Sequence, residues 1–131
     1  MLRRILAMLA VAGSLLAQRS PLDAAWDLAA KGQPEKAADL LEKLIRKEPG
    51  NGDARLLLGS LLAVRGDFAG AIVQLKEGVR LLPNSAEGHN SLGEAFNSAK
   101  DAAHAREEFE KAVQINPKLA QAQVNLGMVL A

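Results

Sequence analysis

The chain has 131 residues, 49% hydrophobic, 24% charged and 3% aromatic, with a formal net charge of +1 and no cysteine. That composition excludes a disordered chain, a disulfide framework and a thiolate metal site. Acidic and basic residues are interspersed without a basic stripe, which argues against a nucleic-acid binder.

Arg3 and Arg4 precede an uncharged, mostly apolar run over residues 5–17, and polar chemistry returns at Gln18. This three-part layout reads as a secretory signal peptide over residues 1–17, cut after Ala17. The run is shorter than the ~20 residues a spanning helix needs, and no cysteine is present to take a lipid. Leu15 stands where cleavage prefers a small residue, so two alternatives stay open: an uncleaved N-terminal membrane anchor, or an apolar helix packed against the rest of the chain. The expectation is an exported protein, periplasmic or extracellular, with no stable membrane insertion once the leader is removed. Loss of Arg3 and Arg4 would leave a net charge of −1.

From residue 18 the sequence is periodic. Pro49, Pro83 and Pro117 recur every 34 residues, and so do Leu58, Leu92 and Leu126; Gly59, Gly93 and Gly127; Ala37, Ala71 and Ala105; and Leu41, Leu75 and Phe109. A fixed interval of this length marks stacked supersecondary units. The units are about 18–51, 52–85 and 86–119, with a partial fourth at 120–131. Ala and Leu dominate the apolar residues, which favours closely packed helices over sheet.

Each unit reads as two helices. In the first, Ser20 is an N-cap, Pro21 suits the first helical position, and Asp23 completes a capping box. Its middle turn is Lys31-Gly32-Gln33-Pro34. In the second, Leu58, Leu61 and Leu62 mark one face of a helix over 55–65. Gly66 ends that helix and Asp67 caps the next, over 68–82, which carries Ala71, Ile72, Leu75, Val79 and Leu82 on one side. Pro83 stops it, and Asn84 and Ser85 offer caps to a helix starting near Ala86. In the third unit, Lys100 stands where a turn glycine is expected, a strain of up to about 1 kcal/mol.

Glycine in a helix interior costs about 1 kcal/mol relative to alanine. Its recurrence at 59, 93 and 127, in register with Ala25, predicts close backbone approach there, with Leu41, Leu75 and Phe109 filling the space beside it. The helix at 120–131 is apolar, and Val124, Leu126, Met128, Val129 and Leu130 predict a sticky end covered by further repeats or by another chain.

These residues resemble the tetratricopeptide repeat (TPR) family. The second unit offers Leu58-Gly59, Leu62, Gly66, Ala71, Leu75 and Pro83. The third offers Leu92-Gly93, Phe96, Ala105, Phe109, Ala112 and Pro117. Ala24-Ala25 and Leu44 in the first unit and Gly78 in the second depart from the pattern. The aromatic expected at the fourth position is replaced by Pro21, Arg55, His89 and Gln123. The resemblance implies an all-α, right-handed solenoid of antiparallel helix pairs, with three full repeats and part of a fourth. It also implies a concave groove lined by the first helices, which holds a peptide or a partner helix. Carried across, the groove positions are Leu22, Trp26 and Ala29; Leu56, Ser60 and Ala63; Asn90, Glu94 and Asn97; and Gln121, Val124 and Met128. Leu22 and Trp26 stand where chaperone-binding members place a Lys and an Asn to clamp a carboxylate, so that mode of binding is not expected.

Trp26 reads equally as a groove hot spot or as a cover for the end of the first repeat. Asn90, Asn97 and Asn125 read as solvated helix surface or as donors to a peptide backbone. His104 and Glu108 share a helix face but read as a solvated pair, not as metal ligands. Gly50-Asn51-Gly52-Asp53-Ala54-Arg55 mimics the start of a dinucleotide fingerprint but lacks the last glycine and follows a helix, not a strand, so it reads as an inter-repeat loop. No nucleophile elbow or phosphate loop is present. Glu42/Arg46, Arg106/Glu110 and Glu107/Lys111 read as outward-facing i, i+4 pairs. The expected function is a non-enzymatic protein-interaction scaffold without cofactor or metal. The alternatives are the recruiting region of a larger enzyme, or an assembly factor for a cell-envelope complex.

Overall fold

The computed structural model describes residues 19–131, so the leader read in residues 1–17 lies outside the described residues. Seven helices follow one another, with no strand among the described residues: α1 Pro21–Ala30, α2 Pro34–Lys47, α3 Gly52–Val64, α4 Phe68–Leu81, α5 Ala86–Ser98, α6 Ala102–Ile115 and α7 Ala120–Leu130. The second helices keep the interval, with α2, α4 and α6 beginning at Pro34, Phe68 and Ala102, and so do the first helices from the second unit on, with α3, α5 and α7 at Gly52, Ala86 and Ala120.

Side-chain caps fix most of these starts. Asn51, Asp67, Ser85 and Asp101 each accept a hydrogen bond from the backbone N–H three residues on, at 3.0, 2.9, 3.0 and 3.2 Å. They satisfy donors that a helix N-terminus leaves free. Ser20 caps α1 in the same way at 3.1 Å. The Asp23 carboxylate accepts from the Ser20 hydroxyl at 2.7 Å, a side-chain closure of the expected box. Between first and second helices, Gly32 and Gly66 sit at φ +74° and +88°. Lys100 takes the same place at φ 67°, the one non-glycine in the left-handed region among the described residues. An L-residue is held there against a cost of about 1–2 kcal/mol.

Every helix packs on its chain neighbours. First helices also meet one another, α1 with α3, α3 with α5 and α5 with α7, whereas α2, α4 and α6 do not touch among themselves. Close contact on one side and separation on the other bends the stack, so the first helices form its inner wall.

The core is one continuous cluster. Leu41, Leu75, Leu92 and Phe109 are its largest fully buried side chains, with Ala25, Ala71 and Ala105 between them. The recurring glycines are where helices approach. A Cβ on Gly59 would lie 2.5 Å from Leu75 Cγ, and one on Gly93 would lie 2.5 Å from Phe109 Cε1. Gly78 has the same kind of reason: a Cβ there would sit 2.5 Å from Leu56 Cδ2.

The polar residues at the expected aromatic position share a task. Arg55 Nε donates to the Pro49 carbonyl at 3.0 Å, His89 Nε2 meets the Pro83 carbonyl at 2.9 Å, and Gln123 Nε2 donates to the Pro117 carbonyl. From the second repeat on, a side chain from the first turn of the new helix reaches back six residues and ties down the inter-repeat proline. Arg55 and His89 also bind the second helix of their own repeat, Arg55 Nη1 donating to Gln74 Oε1 at 3.1 Å and His89 Nδ1 meeting Glu108 Oε2 at 2.6 Å. A long polar side chain can therefore replace an aromatic here, because the turn needs a hydrogen-bond donor more than it needs apolar area.

Candidate functional site: the concave wall

Three open clefts run along the inner wall and share lining residues. Trp26 of α1, Leu56 and Ser60 of α3, and Ser91 of α5 line the first, with Asp53 and Glu87 beside them. Ser60 and Ser91 continue into the second, which adds Ala63, Val64, Glu94 and Ser98. Glu94 and Ser98 continue into the third, which adds Asn97, Phe109, Asn125 and Met128. The wall is thus a single furrow crossing all four first helices.

Of the residues the sequence singled out, Trp26, Leu56, Ser60, Ala63, Glu94, Asn97 and Met128 line this furrow. Trp26 is 55% exposed and Met128 69%. Leu22 is half-buried and packs against the core, and Val124 is exposed on α7. Asn90 is buried behind the wall, where its side-chain oxygen accepts from Asn125 Nδ2 at 3.0 Å. The same Asn125 amide donates to Glu94 Oε1 at 2.9 Å, and Gln121 Nε2 donates to Asn125 Oδ1 at 3.2 Å. These amides tie α7 to α5, which leaves Asn97 as the exposed asparagine of the set.

Asp53, Glu87, Ser91 and Ser98 also line the furrow without having been anticipated. Asp53 and Glu87 stand one residue after the start of α3 and α5, in one column with Gln121. That shared column with a residue already chosen is the signal that could have found them.

The charged pairs differ in part from expectation. Arg106 Nε does donate to Glu110 Oε1 at 2.8 Å. Lys111, however, donates to Glu108 at 2.9 Å and not to Glu107, since Glu108 is already oriented inward by His89. His104 does not face Glu108. Its ring meets the Asp101 carboxylate at 2.6 Å and stacks on Phe96 at 5.1 Å. The hydrogen bond from that ring, and then the one from the His104 backbone N–H, hold the Asp101 carboxyl below its ordinary value. His89 and Glu108 are 7% and 8% exposed, a buried pair between α5 and α6. Among the described residues no group of three or more His, Cys, Asp or Glu is placed to hold a metal ion. No helix of the described residues is long and apolar enough to cross a membrane.

A stack of antiparallel helix pairs, with the first helix of each pair on a concave wall, defines a helical-repeat interaction module. Two family models described as tetratricopeptide repeat match the chain over residues 28–94 and 74–120. The chain belongs to the tetratricopeptide repeat family. No curated protein is a significant match.

Among solved structures the chain is similar to the first TPR domain of Spaghetti (RPAP3) bound to an HSP90 peptide, at 17% identity and TM-score 0.81, covering 84% of this chain and 87% of that one. It is similar to MamA at 24% identity and TM-score 0.80, covering 83% of this chain and 64% of that one. It is also similar to an O-GlcNAc transferase of Thermobaculum terrenum at 23% identity and TM-score 0.80, covering 84% of this chain but 21% of that one. At these identities the likeness is one of fold, and the chain spans a small part of the transferase.

Proposed function

We propose that this chain is a non-enzymatic interaction scaffold that holds a peptide or a partner helix against its concave wall. The observation that carries the reading is the continuity of the furrow from Trp26 to Met128, with apolar and hydrogen-bonding groups exposed side by side. A solved structure of the same fold with a bound HSP90 peptide supports it. Trp26, Leu56, Ser60, Glu94, Asn97 and Met128 make the contacts in this reading, and the buried Asn90 and the exposed Gln121 support them by holding Asn125. The test is photo-crosslinking from a reactive residue placed at Ser60, compared with one at Val73, which is 64% exposed on α4. Adducts from Ser60 and none from Val73 are expected. Adducts from Val73 alone, or from neither, would refute the reading.

A second reading, the recruiting region of a larger enzyme, is favoured by the likeness to part of the transferase. A catalytic domain encoded in the reading frame after Ala131 would establish it. In either case we propose export, on the charge and length pattern of residues 1–17. N-terminal sequencing of the cellular protein tests this, with Gln18 as the expected first residue. An assembly role in a cell-envelope complex holds only if affinity capture of the exported protein returns components of such a complex.

A further inference from the structure

The furrow has a sign. Over the whole sequence acids and bases nearly balance, with 15 and 16 residues. Their distribution between the two faces is unequal. The first helices α1, α3, α5 and α7 carry five carboxylates, Asp23, Asp27, Asp53, Glu87 and Glu94, against a single Lys or Arg, Arg55, with His89 buried against Glu108. That one cation is turned away from the furrow, bound to the Pro49 carbonyl and to Gln74. Lys and Arg are concentrated instead on the outer helices, at positions such as Lys36, Lys43, Lys76, Arg80, Arg106 and Lys111.

Three of the carboxylates, Asp53, Glu87 and Glu94, line the clefts, and no Lys or Arg lines them. The ion pairs among the described residues engage other acids: Asp27, Glu35, Glu77, Asp101, Glu108 and Glu110. Among the described residues no cation therefore pairs with the cleft carboxylates, and Glu94 accepts only from the neutral amides of Asn90 and Asn125. Asp53 and Glu87 line the same cleft as Trp26, and Glu94 the same cleft as Met128. Apolar anchors alternate with negative charge along one path.

Resting on the scaffold reading and deepening it, we infer that the partner is a cationic amphipathic segment. Its Lys or Arg side chains meet Asp53, Glu87 and Glu94, and its large apolar side chains seat at Trp26–Leu56 and at Met128. A guanidinium or ammonium on a long stem suits this geometry, since its methylenes can lie on the indole while its head reaches a carboxylate. Association is then fast and falls with salt, because the field of the wall steers a positive ligand. An acidic segment is repelled by the same three groups.

The test measures fluorescence anisotropy of labelled peptides of about 15 residues, ~50 Å when extended at ~3.3 Å per residue. One is built of Leu and Lys, one of Leu and Glu, and one of Leu and Ser in the same order, each titrated with the 131-residue chain. The Leu/Lys peptide is expected to bind. The Leu/Glu peptide is expected not to bind, and the Leu/Ser peptide to bind roughly tenfold more weakly than Leu/Lys. The triple variant Asp53→Asn/Glu87→Gln/Glu94→Gln should lose the preference for Leu/Lys while keeping the far-UV circular dichroism spectrum of the parent. Trp26→Ala should weaken all binding. Equal affinity for Leu/Ser and Leu/Lys, or an unchanged preference in the triple variant, would overturn the charge inference and leave the scaffold reading standing. Failure of all three peptides overturns the charge inference, and the crosslinking at Ser60 then decides the scaffold reading separately.

Discussion

Gly59, Gly93 and Gly127 occupy one position in three successive first helices, so alanine at each asks the same question of different surroundings. Alanine improves helix propensity by about 1 kcal/mol at an interior position. At Gly59 the new Cβ would lie 2.5 Å from Leu75 Cγ and 3.2 Å from the Ala71 carbonyl oxygen. At Gly93 it would lie 2.5 and 2.6 Å from two ring carbons of Phe109. Leu75 and Phe109 are 0% and 1% exposed, so neither can move aside without displacing the core. Overpacking of this kind costs about 1–3 kcal/mol. Gly59→Ala and Gly93→Ala should therefore destabilise by up to about 2 kcal/mol after the propensity gain is subtracted. At Gly127 nothing lies within 4 Å of the new Cβ, because among the described residues α7 packs on α6 and not on a second helix of its own repeat. Gly127→Ala should stabilise by about 0.5 kcal/mol, reduced from the full gain because it sits in the last turn of α7. Urea unfolding followed by far-UV circular dichroism should shift the midpoint down for the first two and up for the third. Three shifts in the same direction would refute the account of these glycines as points of close approach.

Lys100→Gly should raise the thermal midpoint by a few degrees, since relief of the left-handed strain of about 1–2 kcal/mol outweighs the added chain entropy. A lowered midpoint in a thermal melt would contradict it. His89→Ala should destabilise by about 2–4 kcal/mol, because it leaves Glu108 buried with Lys111 alone and frees the Pro83 carbonyl. His89→Gln should recover part of that loss in the same urea assay by restoring the turn bond that Gln123 makes in the next repeat. Since the Asp101 carboxyl is held below its ordinary value, its contribution is fully present above the ordinary Asp range and is lost as pH falls through the lowered value. The thermal midpoint of Asp101→Asn should accordingly lie below that of the parent at neutral pH, with the gap closing as pH falls below the ordinary Asp range. A gap that persists unchanged in acid would show that the carboxylate is not its source.

Much of the fold was legible because it depends on identities that recur. Proline after each second helix, glycine against Leu75 or Phe109, and caps at 67 and 85 each stem from one residue's own chemistry at a repeated place. What was not legible depends on which of several equivalent partners a side chain meets. Glu108 has His104 four residues before it and Lys111 three after, yet its first partner is His89 on the preceding helix. No local spacing reveals that choice, because it arises only when α6 is laid against α5. Asn90 is a similar case. Its column holds Leu56 and Val124 in other repeats, and only the approach of α7 turns it from a surface amide into a buried one. On the wall itself, three chosen columns found the apolar anchors, whereas the carboxylates at 53 and 87 lay in a column recognised only in the last repeat.

The pattern of neighbours also sets how the molecule comes apart. Among the described residues no helix reaches past the next first helix along, so no contact binds α1 to α7. Amide hydrogen exchange should therefore show a protection gradient, slowest in α3 to α5 and faster towards α1 and α7, with no single cooperative opening of the whole. A segment lying along the furrow would bridge repeats that the chain itself leaves unlinked, and its arrival should flatten that gradient.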